Sequence, residues 1–327
     1  MRAWQVVMLG EPKDVLALAE VAAPCPQAGQ LLVAVLAAAA NFPDVLMCRG
    51  SYQVRPELPF TPGVELCGEI IAVGEGVSGF RVGDRVIGSP ANPPGAFAEF
   101  ALMDVATTFP APLGLDDAQA AALYLGHQTS WFALHRRARI EPGEVLLVHA
   151  AAGGVGGAAV QLGKAAGARV IGVVGGPDKA GVAAELGADV VVDRHRDDFV
   201  QAVNDLTEGR GADVVVDPVG GPTYLRSTKC IAFEGRIVVV GFAGGEIQSA
   251  PLNHALVKNY SILGLHWGLY ARHDAALVNR CHEELTALVD RGAAVPFVSE
   301  RIGLGEVPRG LQRLADGVTT GRIVMVA

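Results

Sequence analysis

Apolar residues follow two different patterns along this chain. Up to about residue 120 they come in short runs, QLLVAVLA (30–37), CGEIIAVG (67–74), DRVIG (84–88) and FAEFALM (97–103), broken by glycine and proline clusters. Such runs between turn residues predict a β-rich region with many turns. From about Ala118 to Asn259 the runs are VLLVHA, RVIGVV, DVVVD, DVVVDPV and GRIVVVGFA, each separated by a stretch of helical character. Alternation of buried strands with helices predicts an α/β fold with a doubly wound parallel sheet. The tail carries SILGLHW (261–267), a helix around His273–Arg291 and a closing strand RIVMVA. It is too short for a core of its own, so it should extend the sheet and then return to the first region. The expected division is 1–120, 121–262 and 263–327, with a cofactor domain inserted in the chain of a catalytic one. No internal repeat is evident.

The stretch Val145 to Gly157, VLLVHAAAGGVGG, narrows the chemistry most. An apolar strand runs into a glycine cluster, and a proline-free run follows from Ala158 to Ala166. That is the strand, tight turn and helix of a dinucleotide-binding βαβ unit. The first turn of such a helix offers unpaired N–H groups and a positive dipole end to a diphosphate. Glycine lets the backbone approach closely. Ala152, Gly153, Gly154, Val155 and Gly156 are therefore candidate cofactor residues. A strict G-x-G-x-x-G is absent. The register Ala151, Gly153, Gly156 is preferred over Gly154, Gly156, Ala159, because it begins one residue beyond VLLVHA.

The end of the next strand reads the adenosine ribose. A carboxylate there selects NAD by accepting from the ribose 2′-hydroxyl. In VIGVVGGPDK (170–179) that window holds Val174, Gly175 and Gly176, with no carboxylate before Asp178. Gly175 leaves room for a 2′-phosphate, and Lys179 and Arg194 offer it charge. The missing acid and the two cations together favour NADPH.

Composition removes other classes of function. The 327 residues are 18% charged with a net charge of −8 and no basic tract, which argues against nucleic acid as a partner. The longest apolar run, LLVAVLAAAA, is too short to span a membrane, and the N-terminus lacks a signal-peptide pattern. A cytoplasmic location is expected. Cys25, Cys48, Cys67, Cys230 and Cys281 are odd in number and widely spaced, which fits neither a disulfide framework nor a four-cysteine zinc site.

These segments, with ANFPDVLMCRGSY (40–52), PFTPGVELCGEI (59–70), VGDRVIG (82–88), ELGADVVVD (185–193), VDPVGG (216–221) and GRIVVVGFAGG (235–245), run in one family's order. The chain resembles the zinc-free NADPH:quinone oxidoreductases, the zeta-crystallin-like branch of the medium-chain dehydrogenase/reductases. The resemblance implies a GroES-like β-rich catalytic domain, a Rossmann domain and an active-site cleft between them. Zinc-dependent alcohol dehydrogenases of that superfamily place metal ligands where this chain has Asn41, Val64 and Leu125. The stretch 88–97, where a structural-zinc lobe falls in those enzymes, holds no cysteine. No metal is expected.

Asn41 follows an apolar strand and is either a turn cap or a donor to a carbonyl oxygen or the nicotinamide ribose. Its family position favours the site, and the same holds for Tyr52, otherwise a half-buried core tyrosine. Relatives often carry a second tyrosine at Leu46; its loss here implies a more apolar pocket. Thr129 resembles the threonine beside the nicotinamide, or else caps a helix. His127 reads as structural rather than as an acid, and Asp217 as a turn residue. Gly241, Phe242, Leu265 and Trp267 follow late strands, whose carboxyl ends line the ligand crevice of such sheets. Trp267 is alternatively interface packing, because that edge pairs subunits in relatives, which implies a homodimer.

The leading expectation is hydride transfer from NADPH to a quinone or an α,β-unsaturated carbonyl compound, with Asn41 and Tyr52 as the catalytic pair. The alternatives are an enoyl-thioester reductase, with Arg49 and Arg55 meeting the phosphorylated carrier, and a non-catalytic NADPH-binding protein.

Overall fold

The computed structural model describes residues 1–91 and 95–327, so 92–94 of the expected zinc-lobe stretch lie outside the described residues. In chain order the strands of the first part are β1 (Arg2–Val6), β2 (Leu16–Glu20), β3 (Gln30–Ala39), β4 (Leu66–Val73), β5 (Arg85–Gly88), β6 (Phe100–Asp104) and β7 (Thr108–Pro110), with helix α1 (Phe42–Cys48) after β3. Helix α2 (Asp117–Trp131) follows and runs on into a π-helical stretch, Phe132–Ala138. Then β8 (Val145–His149), α3 (Gly154–Ala165), β9 (Arg169–Val174), α4 (Pro177–Glu185), β10 (Val190–Asp193), β11 (Ala212–Asp217), β12 (Ile231–Val239), α5 (Leu252–Lys258) and β13 (Ser261–Gly264) alternate. The chain ends with α6 (Ala275–Asp290), β14 (Val298–Ile302), α7 (Val307–Ala315) and β15 (Arg322–Val326).

Two compact units result. The first comprises residues 1–125 and 298–327, the second 126–297, so 263–297 lie with the second. In the first, a seven-stranded sheet has the order β14-β15-β3-β4-β5-β7, with β6 also paired to β3. β3 shows why it forms: Leu31, Val33, Val35 and Ala37 are buried while the residues between them are half-buried, the period of a one-sided strand. The buried set with Ile70, Phe97, Met103, Leu311 and Ile323 makes the main core of this unit.

The second unit is the expected doubly wound α/β sheet, with order β10-β9-β8-β11-β12-β13 and every pair parallel. All five residues of β8 are buried, as they must be in a strand covered on both faces. The strand order reverses between β8 and β11, which is the switch point where sheets of this kind take ligands. No helix among the described residues is long and apolar enough to cross a membrane.

Candidate active site

In the second unit, β8 delivers the chain into a turn closed by a Gly153 N–H to Ala150 C=O bond of 2.8 Å. Ala150 itself adopts φ 51°, the left-handed conformation, so the strain of the turn sits one residue before the Ala151 of the expected register. Helix α3 begins at Gly154, with Gly153 as its extended N-cap. Gly153 has no side chain to cap the first turn, so the leading N–H groups of α3 are free to meet an anion. Gly156 is held to glycine by space: a Cβ there would overlap the carbonyl oxygen of Ala150. A backbone cradle of this shape fits the diphosphate of a dinucleotide. The Ser130 hydroxyl donates to the Val155 carbonyl at 2.8 Å and ties α2 to the start of α3.

At the end of β9, Gly175 lies under the Arg194 guanidinium, since a Cβ on it would stand 3.2 Å from both Nε and Nη2. Burial lowers the Lys179 pKa, and the nearby Arg194 charge lowers it further. Two cations are thus brought together. The adjacent Asp193 carboxylate is engaged by the backbone, accepting from the Gly176 N–H at 2.9 Å and the His195 N–H at 3.1 Å, and those bonds hold its pKa low. Both of those bonds go to Oδ1 of Asp193, and the positive charge of Lys179 and Arg194 at this strand end suits a dianionic group.

Gly241 and Phe242 are half-buried beyond β12, and Leu265 and Trp267 are buried beyond β13. All four follow the carboxyl ends of parallel strands, the rim that also carries the glycine turn. Thr129 is buried inside α2, near its carboxyl end, so the helix-cap reading is wrong. His127 is engaged: its Nε2 is 3.0 Å from Gln161 Oε1, and Gln161 Nε2 donates to the Val295 carbonyl. Asp217 accepts from the Val219 and Gly220 N–H groups with one oxygen and closes a turn.

The first unit carries a polar knot inside an apolar core. Asn41 is the N-cap of α1, and its backbone N–H donates to Asp44 Oδ2 at 2.9 Å. Asp44 Oδ1 accepts from the Gly63 N–H at 2.9 Å, so this carboxylate joins the start of α1 to the loop before β4. Gly63 (φ +113°) could carry no side chain, because a Cβ would lie 2.7 Å from the backbone nitrogens of Ala96 and Phe97. Asp44 is fully buried, and desolvation pushes its pKa up to about 7. Asn41 Nδ2 donates both to the Ala39 carbonyl at 3.0 Å and to Glu65 Oε1 at 2.8 Å. The buried Glu65 also takes the Leu125 N–H at 2.7 Å and pairs with Arg322 from β15. The sequence reading weighed Asn41 as a turn cap or as a donor to a ligand; here both amide hydrogens are donated within the protein, so a side-chain contact to a ligand would run through Oδ1.

Tyr52 is half-buried against Val6, Met47, Cys48 and Phe60. Burial raises its pKa, as does the Asp44 charge, so the phenol stays protonated as a donor. Arg49 is locked in a two-point ion pair with Glu11, both contacts at 2.8 Å. Among the described residues no group of histidine, cysteine and acidic side chains could hold a metal ion. Sequence reasoning missed Glu65, Arg322 and Asp44. A signal existed for each: two lone opposite charges at the mouths of apolar strands, and an acid three residues after a capping asparagine.

Residues 27–113 match the alcohol dehydrogenase GroES-like domain, and 154–283 the domain described as zinc-binding dehydrogenase. The chain is 36% identical to quinone oxidoreductase-like protein 2 of Bos taurus over 99% of this chain and 93% of that protein. The Escherichia coli quinone oxidoreductase complexed with NADPH superposes with a TM-score of 0.92 at 29% identity, covering 100% of both chains. The enoyl reductase CurK superposes with a TM-score of 0.89 at 26% identity, covering 99% of this chain and 98% of that one. With carbon side chains at two of the three zinc-ligand positions and this kinship over its whole length, the chain belongs to the zinc-free quinone oxidoreductase family of medium-chain dehydrogenase/reductases.

Proposed function

We propose that this oxidoreductase uses NADPH to reduce a quinone or an α,β-unsaturated carbonyl compound without a metal. The observation that carries the reading is the Arg194 guanidinium lying over Gly175 with the Lys179 charge close enough to feel it. NADPH, when bound, supplies a hydride. Ala152, Gly153, Gly154, Val155 and Gly156 hold its diphosphate, and Gly175, Lys179 and Arg194 its 2′-phosphate. Thr129, Gly241, Phe242, Leu265 and Trp267 line the nicotinamide end. The Tyr52 hydroxyl donates to the acceptor oxygen that gains charge, an interaction that stabilises the transition state more than the ground state. Asn41 Oδ1 accepts from a cofactor hydroxyl.

An enoyl-thioester acceptor is the second reading, favoured by the likeness to an enoyl reductase. It is weakened by Arg49, whose guanidinium already gives two of its donors to Glu11 and has its charge paired there. NADPH oxidation measured with 1,4-benzoquinone, cyclohexenone and crotonyl-CoA separates the two. Turnover of crotonyl-CoA alone overturns the first, and cofactor binding without turnover of any acceptor leaves only a binding protein.

A cytoplasmic homodimer completes the reading. β13 ends the parallel sheet, and the nearby Ile247, Leu252, Leu256 and Val257 are exposed, an apolar surface suited to a second copy. Light scattering on the purified chain tests this, with a monomer as the refuting result.

A further inference from the structure

We infer that Glu65 is a positioning residue for the proposed reaction: it fixes the Asn41 side chain so that Asn41 meets the cofactor only as an acceptor. The inference rests on the proposed placement of Asn41 at the cofactor. An ionised carboxylate can only accept. With Glu65 Oε1 at 2.8 Å and the Ala39 carbonyl at 3.0 Å, the Asn41 amide has one orientation that places its hydrogens on acceptors. The flipped amide would set its oxygen against a buried charge. Glu65 in turn has little freedom, because the Leu125 N–H holds one of its oxygens and Arg322 the other.

The knot therefore reaches from residue 41 to residue 322 and leaves the Asn41 side chain able to meet a ligand only through Oδ1, as an acceptor. Its chemical complement is a hydroxyl, as on the nicotinamide ribose, and not a carbonyl oxygen. Asn41 then has no part in stabilising charge on the acceptor, a task that falls to Tyr52.

The test is a double-mutant cycle read as NADPH dissociation constants from fluorescence titration of the full-length protein. Asn41→Ala and Glu65→Gln should each weaken NADPH about tenfold, the worth of one hydrogen bond. The double variant should be no weaker than either single. Two results overturn the inference alone: Asn41→Ala weakens binding while Glu65→Gln does not, or the two losses multiply to about a hundredfold. An unchanged constant in Asn41→Ala instead removes the Asn41 contact itself, and with it this role for Glu65. If Glu65→Gln fails to fold, hydrogen exchange of the Asn41 side-chain amide in the unmodified protein decides. Exchange that is slow and unaltered by NADPH supports the inference; exchange slowed by NADPH shows the amide donating to the cofactor and overturns it.

Discussion

The glycine cradle after β8 and the polar knot around Asn41 are built on opposite principles. The cradle is made of backbone, and its components span Ala150 to Gly157, adjacent in sequence. The knot is made of side chains drawn from residues 41, 44, 65 and 322. Local geometry suffices for the first, while the second exists only when distant strands have paired. A cradle of this kind tolerates change in side chains but not in backbone space. A knot tolerates neither the loss nor the conversion of any one partner.

The largest effect should come from opening the knot. Arg322→Met strands the buried Glu65 charge and should cost about 3–5 kcal/mol in denaturant unfolding, with much of it recovered in the Glu65→Met, Arg322→Met double variant. Losses that simply add in the double variant would mean that the pair is not coupled. In the cradle, Gly156→Ala forces a Cβ onto the Ala150 carbonyl and should cost about 3 kcal/mol along with most NADPH affinity. A wild-type melting temperature there would break the backbone account.

Asp44 sharpens the contrast through pH. Its folded pKa of about 7 stands above the ordinary carboxyl value of 3.8, so the folded state holds a proton that the unfolded chain releases. Its contribution is fully present below about pH 4 and is lost as pH rises through about 7. Asp44→Asn should flatten that slope in urea melts at pH 4 to 8, and an unchanged slope would assign the proton elsewhere. Lys179→Ala should lower the NADPH-to-NADH affinity ratio about tenfold; an unchanged ratio removes the 2′-phosphate assignment. The smallest effect is a gain: Ala150→Gly relieves a left-handed alanine, worth about 1 kcal/mol in thermal melts, and a loss instead would mean that the turn is not strained.

Legibility followed the same divide. The sequence pattern of β8, the glycines and α3 was readable because strand, turn and helix occupy consecutive residues. Lys179 and Arg194 were readable because a parallel βαβ unit sets where strand ends fall. Thr129 was misjudged as a possible cap because nothing local marks α2 as continuing past it to Trp131 and on into a π-helix. For Asn41 the cap was the alternative and the site was favoured, because Glu65 becomes its partner only after β3 and β4 pair. Arg322 carries no local mark of its partner, since its counter-charge lies 257 residues away.

The pairing of β15 with β3 has a consequence for biosynthesis. Residues 126–297 are contiguous and can fold as soon as they leave the ribosome. The first unit cannot, because β15 and Arg322 lie in 298–327, which is made only after the whole of the second unit. Until then Glu65 has no cation to join, and burying it is unfavourable. A chain cut short before β15 would thus be left with residues 1–125 open, exposed to the proteases that clear incomplete products.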